Sequence, residues 1–271
     1  MKALVLARGL ARRMREPSTD DRGLTAAQAR AAAAGRKAMM PVGPAGRPFL
    51  DYVLGSLADA GCGDVGILVA PEHDEIRRRY TIETIPTRIR AAFVVQTEAR
   101  GTADAVLSAR TWAGTDPFLV VNGDNLYPVD VLRALAALHE PGLAVFRPAE
   151  LSRDSNIPPE RIAAFALIDV HDAGYLTRIV EKPGADRIAA AGGRALVSMN
   201  CWRFDTRIFD ACRDVPLSPR GELELPVAVG LAVERGVRFA TVPGDGAVLD
   251  LSRRSDVAEV ARRLAGIEPR L

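Results

Sequence analysis

The chain has 271 residues, of which 48% are hydrophobic and 26% charged, so it contains ample apolar material for a large core. The formal net charge is +2, and no long basic run gives the chain the character of a nucleic-acid-binding protein. No apolar stretch reaches the roughly 18 residues of a membrane span, and the apolar N-terminal run is too short for a signal peptide. We expect a cytoplasmic protein with one large α/β domain, or with two small lobes that share a sheet.

The cysteines are odd in number and far apart in the sequence. Cys62, Cys201 and Cys212 form neither a CxxC pair nor a metal-binding cluster. We therefore expect three buried thiols that act as small hydrophobic side chains.

Strand and helix patterns alternate along the first half of the chain. The first strand covers residues 2–6 and ends at a turn that contains Gly9. The other predicted elements are helices at 49–60, 101–113 and 129–140 and strands at 63–71, 91–96, 117–125 and 142–148. This alternation is typical of a mostly parallel sheet with helices on both faces.

The second half, after about residue 128, has a mixed pattern. Residues 165–183 are predicted to form two strands that are joined by a tight turn at 172–174. The later predictions are helices at 184–191, after Glu224 and at 255–265, and strands at 195–204 and 237–243.

An Ala-rich segment, residues 17–35, interrupts the loop after the first strand. Thr25 and Gln28 have the spacing of a capping box, and Gly35 is a natural end for a helix. We expect a short, exposed helix here, inserted in the loop after the first strand.

Unusual polar residues follow four of the predicted strands. The segments are LARGLARR, VVQTEARG, VVNGDN and IVEKP. In an open α/β sheet, ligands bind at the carboxyl ends of the strands where the strand order changes. There these segments would bring together arginines, Gln96, Gly101, Asp124, Glu181 and Lys182. Such a set fits an anionic substrate that binds with a divalent cation.

Seven short motifs in this order resemble the sugar-1-phosphate nucleotidyltransferases, which transfer thymidylyl, uridylyl or adenylyl groups. They are LARGLARRM, KAMMPVG, Gln96 with GTADA, NGDN, EKP, SMN and RGELELP. The resemblance covers roughly residues 2–256. It implies a Rossmann-like, mixed but mostly parallel sheet flanked by helices, the nucleotide-diphospho-sugar transferase fold. It also implies a nucleotide-binding half (1–128), a sugar-phosphate-binding half (129–254) and a C-terminal helix and tail (255–271).

The resemblance also assigns roles to single residues. The implied catalytic residues, which contact phosphates, are Arg13, Lys37 and Lys182. The implied nucleotide-binding residues are Ala7, Gly9, Gln96, Gly101, Asn122 and Gly123. Glu181 and Asn200 are implied in sugar binding, and Asp124 and Asp250 in binding Mg²⁺.

The implied reaction joins an NTP and a sugar 1-phosphate to give an NDP-sugar and pyrophosphate. A sugar-phosphate oxygen attacks the α-phosphorus in line, and no general base is needed because the phosphate is already ionised. GDN and RGELELP favour a pyrimidine nucleotide, and relatives commonly form homo-oligomers. Two alternatives stay open: a catalytically impaired relative that binds nucleotide sugars, and an α/β enzyme of another class such as a glycosyltransferase.

The first loop departs from the family pattern LAGGxGTR. Arg8 and Ala11 replace glycines, and Arg12 replaces a threonine. If Ala11 has a positive φ, its backbone costs about 1–2 kcal/mol. Arg8 and Arg12 are interpreted as surface or loop-bracing residues. Asp250 departs as well, because Ser252-Arg253 follows it in place of Gly-Thr.

Overall fold

The computed structural model describes residues 1–9, 11–16 and 23–271, except for the Arg12 side chain. The predictions for residues 17–22 and for the Arg12 side chain lie outside this part of the chain. The strands are β1 (Lys2–Leu6), β2 (Asp64–Val69), β3 (Arg90–Val95), β4 (Phe118–Asn122), β5 (Asn125–Leu126), β6 (Gly142–Val145), β7 (Ala166–Val170), β8 (Leu176–Val180), β9 (Leu196–Ser198), β10 (Trp202–Phe204), β11 (Ala240–Pro243) and β12 (Leu249–Asp250).

The α-helices of the described residues alternate with these strands. They are α1 (Arg12–Arg15), α2 (Ala26–Ala33), α3 (Phe49–Asp59), α4 (Asp74–Arg78), α5 (Thr102–Ser108), α6 (Arg110–Ala113), α7 (Val129–Ala137), α8 (Pro148–Asp154), α9 (Pro159–Ile162), α10 (Ala185–Ala191), α11 (Ile208–Asp214), α12 (Leu225–Glu234) and α13 (Asp256–Arg263). Helices α4, α8, α9 and α11 have no counterpart among the predicted elements. Each has only four to seven residues, too few for a helical period to emerge.

Seven strands form the central sheet, in the order β11-β6-β10-β4-β1-β2-β3. All neighbouring pairs are parallel except those of β10, which runs antiparallel to both β4 and β6. The predicted fold class, a mixed but mostly parallel sheet flanked by helices, is confirmed. The strand order reverses at β1, so the loops after β1 and β4 diverge and leave a cleft between them.

Strand β1 is buried on both faces. Ala3 and Val5 belong to the apolar cluster on one side of the sheet, and Leu4 belongs to the cluster on the other side. Helices α3, α7 and α13 contribute to the first cluster, whereas α5, α11 and α12 contribute to the second. The apolar run of β1 therefore has the composition of a central parallel strand.

The strand predicted at 195–204 is wrong as a single element. β9 pairs antiparallel with β7 in a three-stranded sheet, while β10 enters the central sheet between β4 and β6. Asn200 lies between them at φ +59°, a left-handed conformation that asparagine tolerates better than most residues and that ends a strand. This break lets one short segment serve two sheets.

The capping box of the inserted segment is confirmed. Thr25 and Gln28 exchange both hydrogen bonds at the start of α2, and Gly35 follows the helix at φ +70°. The predicted exposure of α2 holds for one face only: Ala26, Ala27, Arg30 and Ala33 are exposed, whereas Gln28, Ala31 and Ala32 are buried. The Gln28 side chain also donates to the carbonyl of Pro41, 2.9 Å away, which fastens the insertion to the body of the protein.

The three cysteines are buried and unpaired, as predicted. Burial raises the pKa of the Cys62 thiol to about 11. In the described part of the chain, no helix is long and apolar enough to cross a membrane.

The GTADA and RGELELP motifs pack directly against each other. Leu223 donates its main-chain N–H to Arg100 and accepts one from Ala103, at 2.7 and 2.9 Å. The Thr102 hydroxyl accepts from the N–H of Leu225 at 2.9 Å. Gly101, at φ +116°, lies beneath this contact, and a Cβ there would meet the main chain of Leu223.

Replacing Gly101 with alanine should therefore lower the free energy of unfolding by at least about 2 kcal/mol, from steric overlap and unfavourable φ together. An added Cβ would lie 2.6 Å from Leu223 N. Gly174→Ala is the matched control, since Gly174 has φ +81° and nothing within 4 Å of an added Cβ. It should lose only about 1 kcal/mol. Denaturant unfolding measures both, and equal losses would contradict the packing argument.

Candidate active site

A cleft of about 880 Å³ lies at the carboxyl ends of β1, β2, β3 and β4. It brings together most of the residues implied in nucleotide and phosphate binding. Those that line it are Ala7, Gly9, Arg13, Lys37, Gln96, Gly101, Asn122, Gly123 and Asp124. Its floor is tight where β1 and β4 meet: Gly123 donates to Leu6 O at 3.0 Å, and a Cβ on Gly123 would lie 3.0 Å from the same oxygen.

A smaller cavity of about 140 Å³ adjoins the cleft. Asn122, Asp124 and Asn200 line both cavities. Glu181 and Asp250 line only the smaller one. The residues implied in sugar and metal binding thus lie beside the residues implied in nucleotide binding, with Asp124 at the junction.

An ion pair lies at this junction. Lys37 Nζ is 2.8 Å from Asp124 Oδ2, and both side chains are partly exposed to the cleft. The lysine follows the insertion, whereas the aspartate follows β4, so the pair joins two sides of the cleft. Because the pair is accessible, each partner can exchange the other for a phosphate or a cation without unfolding the site.

Asp250 lies on β12, beside β5, and is almost completely buried. Its Oδ2 accepts from Arg161 Nη1 at 2.9 Å, and its Oδ1 accepts from the Ser252 hydroxyl. Arg161 also donates to both carboxylate oxygens of Asp256, at 2.8 and 3.1 Å. Asp256 in turn accepts from the N–H groups of Ser252 and Arg253, at 2.9 and 2.7 Å. Of the residues that depart from the family pattern after Asp250, Ser252 therefore holds the Asp250 carboxylate directly, and Arg253 binds Asp256 through its main chain.

The pair of aspartates fits an oxygen-binding divalent cation. Burial, and then the nearby charge of Asp124, raise the pKa of Asp250 in spite of Arg161, so its charged form still lacks full compensation. Mg²⁺ commonly binds to one or two carboxylates together with substrate phosphates. No group of three or more His, Cys, Asp or Glu side chains suited to a metal occurs in the described residues. A cation here would depend on Asp124, Asp250 and the substrate itself.

Glu181, Lys182, Arg220 and Glu224 form a charged cluster beside the smaller cavity. Lys182 Nζ is 3.3 Å from Glu181 and 3.4 Å from Glu224, and Arg220 donates to Glu224 at 2.8 Å. Burial, followed by a hydrogen bond with Glu224 and its charge, raises the pKa of Glu181 to about 7. Of these two carboxyl groups, Glu181 is therefore the one whose pKa favours the protonated form.

Lys182 differs from the other residues implied in the site. It lines neither cavity, and its ammonium group is bound to carboxylates. Its backbone has φ +48°, a left-handed conformation that is costly for a lysine. Strain of this kind concentrates at functional sites. To reach a ligand in the smaller cavity, the side chain must leave Glu224.

Two arginines of the loop after β1 differ in their contacts. Arg8 donates to the carbonyl oxygens of Gln96 at 2.9 Å and Thr97 at 3.2 Å, so it braces the loop after β3. The Arg13 side chain is exposed to the cleft, and none of the described residues binds it. Ala11 has φ +51°, the strained position anticipated for a missing glycine.

Several residues of the site escaped the sequence analysis. Arg220 and Glu224 lie within the RGELELP motif, which was used only to recognise the family. Asp104 lies within GTADA and binds Gln96. Arg161 had no sequence signal, because its two carboxylate partners are 89 and 95 residues away along the chain.

Comparisons with known proteins identify the family to which the chain belongs. Residues 32–265 match the model of the nucleotidyl transferase family. Glucose-1-phosphate thymidylyltransferase of Streptomyces griseus is 30% identical over 100% of this chain and 68% of its own length. The low-salt glycan biosynthesis nucleotidyltransferase Agl11 of Haloferax volcanii is 25% identical, and the match covers 83% of this chain and 59% of Agl11. The chain belongs to the sugar-1-phosphate nucleotidyltransferases of this family.

The fold has a close counterpart among solved structures. A crystal structure of UDP-glucose pyrophosphorylase complexed with UDP-glucose superposes with a TM-score of 0.73. The match covers 97% of each chain at 17% sequence identity. The two proteins share the fold over almost their whole length.

Replacing Arg161 with methionine should lower the free energy of unfolding by about 3–5 kcal/mol, because it leaves Asp250 and Asp256 buried without a counter-charge. Arg153→Met is the matched control, since that arginine is mostly exposed and pairs with Asp154. An exposed pair contributes at most about 1 kcal/mol. Denaturant unfolding compares the two, and a loss at Arg161 no larger than at Arg153 would contradict the buried network.

The raised pKa of Glu181 predicts a pH dependence of stability. The folded protein holds the proton up to about pH 7, whereas the unfolded chain releases it near the ordinary value of 4.5. The contribution is therefore fully present below pH 4.5 and is lost as the pH rises through 7. Between pH 5 and pH 8, wild-type protein should lose more stability than Glu181→Gln. Glu150→Gln, at a partly exposed site on α8, should behave as wild type. A Glu181→Gln curve parallel to wild type would refute the assignment.

Proposed function

We propose that the protein joins an NTP to a sugar 1-phosphate and releases pyrophosphate. The observation that carries this proposal is the junction of the two cavities at Asp124. A triphosphate in the larger cleft and a sugar phosphate in the smaller cavity would place an attacking oxygen beside the α-phosphorus there. Positioning two anions in this way is the main catalytic requirement of the reaction.

Cationic side chains of this chain supply the charge neutralisation. Arg13 is exposed in the cleft and would bind the outer phosphates and the departing pyrophosphate. Lys37 would exchange Asp124 for a phosphate oxygen as the nucleotide arrives. Lys182, released from Glu224, would bind the sugar phosphate. The reacting phosphate is already ionised, so the mechanism requires no proton transfer by the protein.

Asp124 and Asp250 would hold Mg²⁺, which when bound supplies positive charge at the transferring phosphoryl group. Arg161 and Ser252 fix the orientation of the Asp250 carboxylate. Lys37, displaced from Asp124, would remain close to the phosphates. The aspartates are therefore prepared for a cation whose remaining ligands come from the substrate.

The two-half organisation is part of the proposal. Most of the larger cleft is lined from residues 1–128, and most of the smaller cavity from residues 129–254. Each half also contributes to the other cavity: Arg220 lines the larger cleft, and Asn122 lines the smaller cavity. We favour a pyrimidine nucleotide as the first substrate. One relative named above is a glucose-1-phosphate thymidylyltransferase, and the solved structure named above is a UDP-glucose pyrophosphorylase complexed with UDP-glucose, in keeping with this choice.

Pyrophosphate release tests the activity. Wild-type protein with Mg²⁺ should release pyrophosphate only when one NTP and one hexose 1-phosphate are both present, in a panel of the four common NTPs and dTTP. Asp124→Asn should lower kcat at least about a hundredfold, because a charge needed in the transition state is lost. Asp130→Asn, at an exposed ion pair on α7, should leave kcat unchanged.

The same experiment distinguishes the proposed activity from the alternative, in which the protein binds nucleotide sugars without turnover. Ala11 and Arg8 give that alternative its support, because they replace glycines in the loop that would contact phosphates. A folded protein that gains thermal stability with a nucleotide sugar, but releases no pyrophosphate with any pair, would establish binding without catalysis and overturn the proposed activity.

A further inference from the structure

Gln96 follows β3, and all of its polar groups except one form hydrogen bonds within the described part of the chain. Its main-chain N–H donates to Val69 O at 3.0 Å, and its main-chain carbonyl accepts from Arg8 Nε at 2.9 Å. Its side-chain Nε2 donates to Gly101 O at 3.1 Å and to Asp104 Oδ2 at 2.8 Å. Only 4% of the residue is exposed, and it lines the nucleotide cleft.

These partners determine which way the amide points. A main-chain carbonyl and a carboxylate can only accept hydrogen bonds, so Nε2 must be the atom that faces Gly101 and Asp104. Both of its hydrogens are then used. The remaining atom is Oε1, for which no described residue supplies a donor. Gln96 therefore offers the cleft a single, fixed hydrogen-bond acceptor.

Arg8 completes this arrangement from the opposite side. Its guanidinium crosses from the loop after β1 to Gln96 and Thr97, the first residues after β3. A glycine at this position, as in the family pattern, has no side chain with which to make such a brace. The arginine is thus bound to two carbonyl oxygens and holds the main chain of Gln96 in place.

We propose that Arg8 and Asp104 are positioning residues that lock Gln96 as an acceptor toward the nucleobase, and this inference rests on the proposed function. In this arrangement the locked oxygen accepts the N–H at ring position 3 of a pyrimidine. Uracil and thymine have this imide N–H, whereas cytosine has an unprotonated acceptor nitrogen there. We therefore expect UTP or dTTP as the substrate, because CTP in the same orientation would bring two acceptors together.

Steady-state kinetics with UTP, dTTP, CTP and 3-methyl-UTP test the proposal. Wild-type protein should use UTP or dTTP, and the 3-methyl analogue should be as poor as CTP. The ratio of kcat/KM for UTP over CTP should fall roughly tenfold in Asp104→Asn and in Arg8→Gly, the loss of about one hydrogen bond's discrimination. The change should lie in KM. Arg8→Lys, which can still donate to a carbonyl, should recover part of the ratio.

Matched controls distinguish a positioning role of Arg8 and Asp104 from a loss of positive charge and from a loss of folded protein. Arg110→Ala removes an exposed arginine of α6 and should leave the ratio unchanged. Equal losses for UTP and CTP in Arg8→Gly, with weaker inhibition by pyrophosphate, would show that Arg8 binds phosphates and would overturn the proposal. A wild-type preference for CTP or ATP would overturn it as well, as would an unchanged ratio in both Asp104→Asn and Arg8→Gly.

Calorimetry with UMP and CMP makes the same comparison without turnover. If no NTP supports pyrophosphate release, the proposed activity fails, yet the inference still predicts tighter binding of UMP. That preference should disappear in Asp104→Asn, while thermal melting confirms that the variant is folded. Equal binding of UMP and CMP by wild-type protein would overturn the inference independently of catalysis.

Discussion

The parallel pairing of β1 with both β2 and β4 is the constraint on which the site depends. Leu6 is in register with Leu68 on one side and with Asn122 on the other, so three strands end at the same level. Their loops must then part, because the chain leaves β1 and β4 in different directions. Gly123, packed against the carbonyl of Leu6, keeps the two strand ends in contact and places Asp124 at the mouth of both cavities.

Charge balance explains why the site is stable before substrates bind. Three buried or partly buried carboxylates lie in or beside the cavities, and each has a cationic partner: Asp124 has Lys37, Asp250 has Arg161, and Glu224 has Lys182 and Arg220. The pair at Asp250 is buried and permanent. The pairs of the lysines are more exposed and exchangeable, so these lysines can move to phosphates when an anionic ligand replaces the carboxylate.

The sequence predicted what depends on local pattern. The alternation of elements and the capping box at Thr25 follow from neighbouring residues, and the motif order defined the family. The positive φ of Ala11 was raised only as a condition, from the glycine that the family pattern has there. What it could not predict depends on distant contacts. The two strands on either side of Asn200 enter different sheets, α2 buries one face, and Arg161 joins carboxylates that are far apart in sequence. The family resemblance implied Gly101 in nucleotide binding, and the structure shows that the main chain of Leu223 also requires a glycine there.

The central claim is that both cavities act as a single centre on one α-phosphorus. The reverse reaction tests it most directly: protein is incubated with Mg²⁺, UDP-glucose or dTDP-glucose, and labelled pyrophosphate. We predict labelled UTP or dTTP together with glucose 1-phosphate in equal amounts, and neither product with Asp124→Asn. Glucose without glucose 1-phosphate, or nucleoside monophosphate with no label in the NTP, would show cleavage at another bond and would contradict the account.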